Sequence, residues 1–72
     1  HAEALFERGL AWGYLGEWKR AVGDLDASLK SNPDQPRAYG FRGAAREGLG
    51  DPEGALADYA ESLRRNPGDV QV

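Results

Sequence analysis

Apolar residues along this chain recur at spacings of three and four, the spacing that places them on one side of an α-helix. From Ala2 to Leu15 they fall into two stripes. At about 100° per residue, Leu5, Gly9, Trp12 and Leu15 share one face, while Phe6, Leu10 and Tyr14, with Gly13 among them, share nearly the opposite one. A surface helix ordinarily carries a single apolar stripe. A helix with two touches protein on both sides or presents one side to a partner. From Glu17 to about Ser31 a second helix is predicted with one stripe only: Trp18, Ala21, Val22, Leu25, Ser28 and Leu29. Lys19, Arg20, Asp24, Asp26 and Lys30 occupy its other face, which reads as solvated. A third helix is predicted from Pro36 to about Leu49. A fourth follows, with the single stripe Ala55, Leu56, Tyr59, Ser62 and Leu63.

The joints between these segments carry their own signals. Gly16 and Gly50 stand where a helix end needs a residue tolerant of positive φ. Asn32-Pro33-Asp34 stops the second helix, because proline cannot continue it and restricts the residue before it. Asp34 or Gln35 is the expected cap of the third helix, with Pro36 in its first turn. Asp51 is the expected cap of the fourth, followed by Pro52 and Glu53. Glu17, Lys30, Arg64 and Arg65 lie at helix ends where their charges suit the dipole. Helices joined by such short links fold back antiparallel with their stripes facing. Asn66-Pro67-Gly68-Asp69 repeats the exit signal, so Val70, Gln71 and Val72 stand where another unit would begin.

The same cycle is written twice, 34 residues apart. Of the 38 overlapping pairs, 12 are identical, and they keep one register from end to end. They include Arg8/Arg42, Gly9/Gly43, Gly16/Gly50, Ala21/Ala55, Asp24/Asp58, Ser28/Ser62 and Pro33/Pro67. A helix–turn–helix period of about 34 residues resembles the tetratricopeptide repeat family. Counting each unit from Ala2 and Pro36, the family's small residue at position eight falls on Gly9 and Gly43, and its alanine at position twenty on Ala21 and Ala55. Its large residue at position twenty-four falls on Leu25 and Tyr59, and its proline at position thirty-two on Pro33 and Pro67. The resemblance implies an all-α chain of two tandem antiparallel hairpins, four helices in a short right-handed solenoid. The units would span residues 2–35 and 36–69, with 70–72 the stub of a third. Arg8 and Arg42 stand where the family often has leucine, with stems long enough to cover apolar surface. Arg46 stands where the family usually has an aromatic, which implies a looser or more exposed second hairpin.

Composition narrows the function classes. The chain has 72 residues, enough for one small domain. It lacks cysteine, so disulfides and thiolate metal sites are excluded and the redox compartment is left open. No apolar run approaches the roughly 20 residues that span a bilayer. A net charge of −3 argues against a general nucleic-acid binder, which needs a basic face. The only imidazole is His1, and Ser28 and Ser62 sit on core-facing stripes, so no constellation for nucleophilic catalysis is present. Asp24 and Asp26 are two apart on a helix and diverge, which rules out a shared metal. The ten glycines are scattered singly and form no phosphate-cradling loop. Neither a cofactor nor a metal is expected, and the chain is not expected to be an enzyme.

The second stripe of the first helix is therefore the informative feature. In the family that this chain resembles, first helices line a concave wall on which peptides bind. By position, that wall would comprise Glu3, Phe6, Leu10, Gly13 and Tyr14 from the first unit and Arg37, Gly40, Phe41, Ala44 and Glu47 from the second. Phe6, Leu10, Tyr14 and Phe41 would supply apolar contact, Gly40 and Ala44 room for another backbone, and Glu3, Arg37 and Glu47 a polar rim. Such a wall suits an apolar peptide or amphipathic helix. The family's variant that clamps a C-terminal carboxylate with Lys, Asn and Arg is a poor match, because Phe6, Leu10 and Phe41 occupy the corresponding positions. Two readings remain open: a protein-interaction scaffold with a free groove, or a structural module that packs on itself or on a fused domain. Two units without a polar terminal cap also lead us to expect a piece of a longer repeat protein, prone to self-associate through Leu56, Tyr59 and Val70.

Overall fold

In a computed structural model that describes residues 1–65, the chain is all-α, with no strand among the described residues. Four helices run in order: α1 (Ala2–Tyr14), α2 (Trp18–Ser31), α3 (Pro36–Gly48) and α4 (Pro52–Arg65). The anticipated exit signal at residues 66–69 and the stub at 70–72 lie outside the described residues.

Both tight joints close in the same way. Gly16 has φ +77° and Gly50 φ +83°, and no other described residue has a positive φ. After α1, the Gly16 amide donates to Gly13 O at 3.0 Å and the Glu17 amide to Trp12 O at 2.9 Å. After α3, the Gly50 amide donates to Glu47 O at 3.0 Å and the Asp51 amide to Arg46 O at 2.8 Å. This pair of bonds around a left-handed residue satisfies the last carbonyls of each helix and reverses the chain. Asp51 caps α4 as expected: its Oδ1 accepts from the Gly54 amide at 3.0 Å. The wider joint differs from expectation. Gln35 holds the N-cap position of α3 without capping it. Its Nε2 instead donates back to Ser28 O at 3.0 Å and Asn32 O at 2.7 Å, tying the linker to the end of α2.

Each hairpin is antiparallel and closed at its open end by one serine. Ser28 Oγ donates to Ala2 O at 2.6 Å, and Ser62 Oγ donates to Pro36 O at 2.8 Å. Glycine lets the helices approach. A Cβ at Gly9 would stand 2.9 Å from Leu25 Cγ, and one at Gly43 3.0 Å from Tyr59 Cε1, each too close for an ordinary contact. The second hairpin is thus as close-packed as the first. The looseness expected from Arg46 is absent, because its guanidinium reaches Asp58 at 3.0 Å.

The core lies between the hairpins. Ala21, Leu25, Leu29, Ala38, Ala45 and Ala55 are buried, and the alanines bring helix backbones together. Phe6, Tyr39 and Phe41 pack partly against the Leu25–Leu29–Ala38 cluster. Three residues of the stripes expected to face the core lie outside it. Leu15 follows the last turn of α1 and is 72% exposed, while Leu56 and Leu63 on α4 are 68% and 45% exposed. Leu29, the counterpart of Leu63 on α2, is 6% exposed because α3 covers it.

The charged residues of α2 are not simply solvated. Asp24 takes a two-pronged bond from Arg8 on α1, at 2.7 and 2.9 Å, and Asp26 takes Arg42 of α3 at 2.7 Å. Arg42 also grips Asp58 at 2.8 and 3.0 Å. Two basic residues expected to spread their stems over apolar surface are therefore ion-pair donors.

Candidate functional site

The site is built from the side chains that α1 and α3 present beside one another, closed from below by α2. Position sets the neighbours. Side chains three and four apart on a helix share a face, so Leu10 and Tyr14 project from α1 next to Phe41 and Ala44 of α3. Between them lies a pocket of about 210 Å³ whose lining is almost entirely apolar. Leu10, Gly13, Tyr14, Phe41 and Ala44 form its walls, while the buried Gly9, Ala21, Leu25 and Ala45 form its floor. Tyr14 is 85% exposed and stands at the mouth. Trp18 from α2 completes one end. Its indole lies on the backbone of Gly48, where a Cβ would overlap the ring.

A shallower depression lies next to the pocket, lined by Arg37, Gly40, Phe41 and Ala44. It shares Phe41 and Ala44 with the pocket, so the two form one continuous groove along α3. The Arg37 guanidinium sits 5.9 Å from the centre of the Phe41 ring. That cation is exposed, and no carboxylate among the described residues lies within ion-pairing distance of it.

The residues named from the sequence divide into three groups. Leu10, Tyr14, Phe41 and Ala44 meet at the pocket, and Arg37 and Gly40 extend it. Phe6 meets Phe41 edge-on with ring centres 5.8 Å apart, but it packs against the core and does not line the pocket. Glu3 and Glu47 stand apart. Glu3 borders a separate depression with His1, Ala2, Ala4 and Glu7. Glu47 accepts the Tyr59 hydroxyl at 2.7 Å, a bond that pushes the phenol up to about 12.

Trp18, like Ala21 and Leu25 of the floor, belongs to the α2 stripe, which counting along the sequence does not assign to the groove. The counterpart of Trp18, 34 residues later, is Pro52, which has no aromatic ring to offer. The electrostatics beside the groove are structural. Asp58 is 3% exposed and compensated by both Arg42 and Arg46. The bond to Asp58 and the further one to Asp26 keep the Arg42 guanidinium charged, raising its proton affinity despite burial. The Arg8 hydrogen bond holds the Asp24 carboxyl below its ordinary range. Among the described residues, no group of three or more His, Cys, Asp or Glu could hold a metal, and no helix is long and apolar enough to cross a membrane.

Four helices in two antiparallel hairpins, with small residues at the crossings and an apolar groove on the first helices, define a tetratricopeptide-type fold. Comparison with solved structures agrees. The crystal structure of MamA protein superposes with a TM-score of 0.85 over 100% of this chain and 40% of that one, at 24% sequence identity. Among curated proteins, Protein FlbA of Caulobacter vibrioides is 38% identical over 72 residues, which covers 90% of this chain. The chain spans 12% of the length of that relative. No protein-family profile matches the chain.

Proposed function

We propose that the chain is a non-catalytic protein-interaction scaffold, built of two units at 2–35 and 36–69, whose groove takes an apolar peptide or one face of an amphipathic helix. The observation that carries this reading is the apolar pocket of about 210 Å³ between α1 and α3, open at Tyr14 and floored by buried residues. A hole of that size accommodates one large apolar side chain. Small specific interfaces concentrate their energy on such an anchor seated in a pocket. Gly40 and Ala44 leave space for a second backbone alongside. The tetratricopeptide-type fold supports the reading, because such folds present their first helices as a binding wall.

A peptide library displayed on phage and selected against the immobilised chain tests the proposal, with an Ala44→Arg variant as counter-target. Ala44 is exposed, so an arginine there fills the groove without entering the core. The expected result is enrichment of peptides that share a large apolar residue, with binding reduced at least ~10-fold on Ala44→Arg, about 1.4 kcal/mol. Peptides that bind both proteins equally, or no enrichment at all, would overturn the assignment. Phe6 is a poorer probe than Ala44, because truncating it also loosens the Leu25–Leu29–Ala38 cluster.

A further inference from the structure

The chain has seven arginines, and six of them hold a carboxylate of the chain itself. Arg37 is the seventh. Among the described residues its guanidinium meets no carboxylate and donates no hydrogen bond. It rests instead 5.9 Å from the centre of the Phe41 ring, one turn further along α3. That contact keeps the cation at the shallow end of the groove and leaves its N–H groups unengaged. The other charges expected on the rim are placed elsewhere. Glu47 accepts the Tyr59 hydroxyl, and Glu3 borders a different depression. The groove therefore has a positive end on a chain whose net charge is −3. Gly40 opens the way to that end. A Cβ there would meet Ser62 Oγ at 3.5 Å, an ordinary contact, so packing within the chain does not demand glycine. Glycine inside a helix is less stable than alanine, and what its bareness provides here is room for another main chain beside Arg37.

Building on the groove reading above, we propose that the bound segment carries a side-chain carboxylate, Asp or Glu, which pairs with Arg37 while its large apolar residue fills the pocket. Charge complementarity selects that occupant. A basic segment would meet a like charge, and a wholly apolar one would strip water from the guanidinium without replacing its hydrogen bonds. A carboxylate can accept two parallel N–H bonds from the guanidinium fork. Arg37 and Ala44 stand two helical turns apart on α3, about 10 Å, which sets the distance between the acid and the apolar anchor. In an extended peptide that is two or three residues, and in a helix about two turns.

The same displayed library tests the charge. On the wild-type chain, enriched peptides should carry Asp or Glu at a fixed spacing from the shared apolar residue. On Arg37→Glu the library should enrich Lys or Arg at that spacing instead. One enriched peptide is then synthesised with an amidated C-terminus, beside a version whose acid is replaced by its amide. Both are titrated against wild type and Arg37→Gln by fluorescence anisotropy. Arg37→Gln should weaken the acidic peptide about two- to fivefold, as for an exposed ion pair, and leave the neutral one unchanged. Helical circular dichroism should not move, because Arg37 is exposed. Apolar enrichment without an acidic position would overturn the inference. So would equal weakening of both peptides, or binding that requires a free C-terminal carboxylate. Those results leave the groove itself standing, since Ala44→Arg reads it separately, whereas a selection that enriches nothing overturns groove and charge together.

Discussion

Arg8 and Arg42 make the same bidentate grip on an aspartate sixteen residues downstream, yet their surroundings separate them. The Arg42 side chain is 17% exposed and its partner Asp58 4%, whereas Arg8 is 64% exposed. α2 supplies the cover: it lies against Arg42 and adds Asp26 as a second acceptor, whereas among the described residues no third helix covers Arg8. Asp24 is itself only 13% exposed, so what separates the sites is the arginine left behind: removing Asp58 strips a buried guanidinium of its main partner, whereas removing Asp24 leaves Arg8 in water. Asp58→Ala should therefore cost about 3 kcal/mol in urea unfolding, and Asp24→Ala under about 1 kcal/mol. Equal losses at the two sites would show that burial does not separate them. Tyr59 adds a pH signature. Its folded-state proton affinity is raised, so the stability it contributes is complete below the unfolded tyrosine value of about 10 and is lost as pH climbs through about 12. Melting temperatures measured between those limits should fall, and Tyr59→Phe should flatten the fall.

At the scale of elements, all four helices were legible in the sequence because their ends are chemically marked. Gly16 and Gly50 sit at positive φ, Pro36 and Pro52 open their helices, and Asp51 caps α4. Replacing Gly16 by alanine forces a Cβ into the left-handed region, although nothing else lies within 4 Å of it. The expected loss is about 1 kcal/mol by chemical denaturation, with helix content unchanged; no loss would mean that the joint does not depend on that conformation. Gln35 misled because a side chain at an N-cap can also turn back, and here Ser28 and Asn32 offered acceptors. The ion pairs left a trace that stripe counting passes over. Arg8, Asp24 and Ser28 are polar, yet each is identical to its counterpart 34 residues later, and each pair makes the same contact in both hairpins.

For the molecule as a whole, the candidate site was partly legible. Spacing along α1 and α3 brings Leu10, Tyr14, Phe41 and Ala44 together, since they share one wall of the fold. Spacing does not reveal how deeply a residue sinks, and Phe6 goes to the core instead of the pocket. Nor does it reveal what another helix contributes. Trp18 reaches the pocket because Gly48 lets its ring lie across the end of α3. Glu47 leaves the rim for the Tyr59 hydroxyl of α4. The groove is the account's central claim, and an amide and indole NMR titration with a selected apolar peptide tests it most directly. Shifts should concentrate on Leu10, Gly13, Tyr14, Phe41, Ala44 and the Trp18 indole. Shifts gathered on the outward faces of α2 and α4, with those six unmoved, would contradict it.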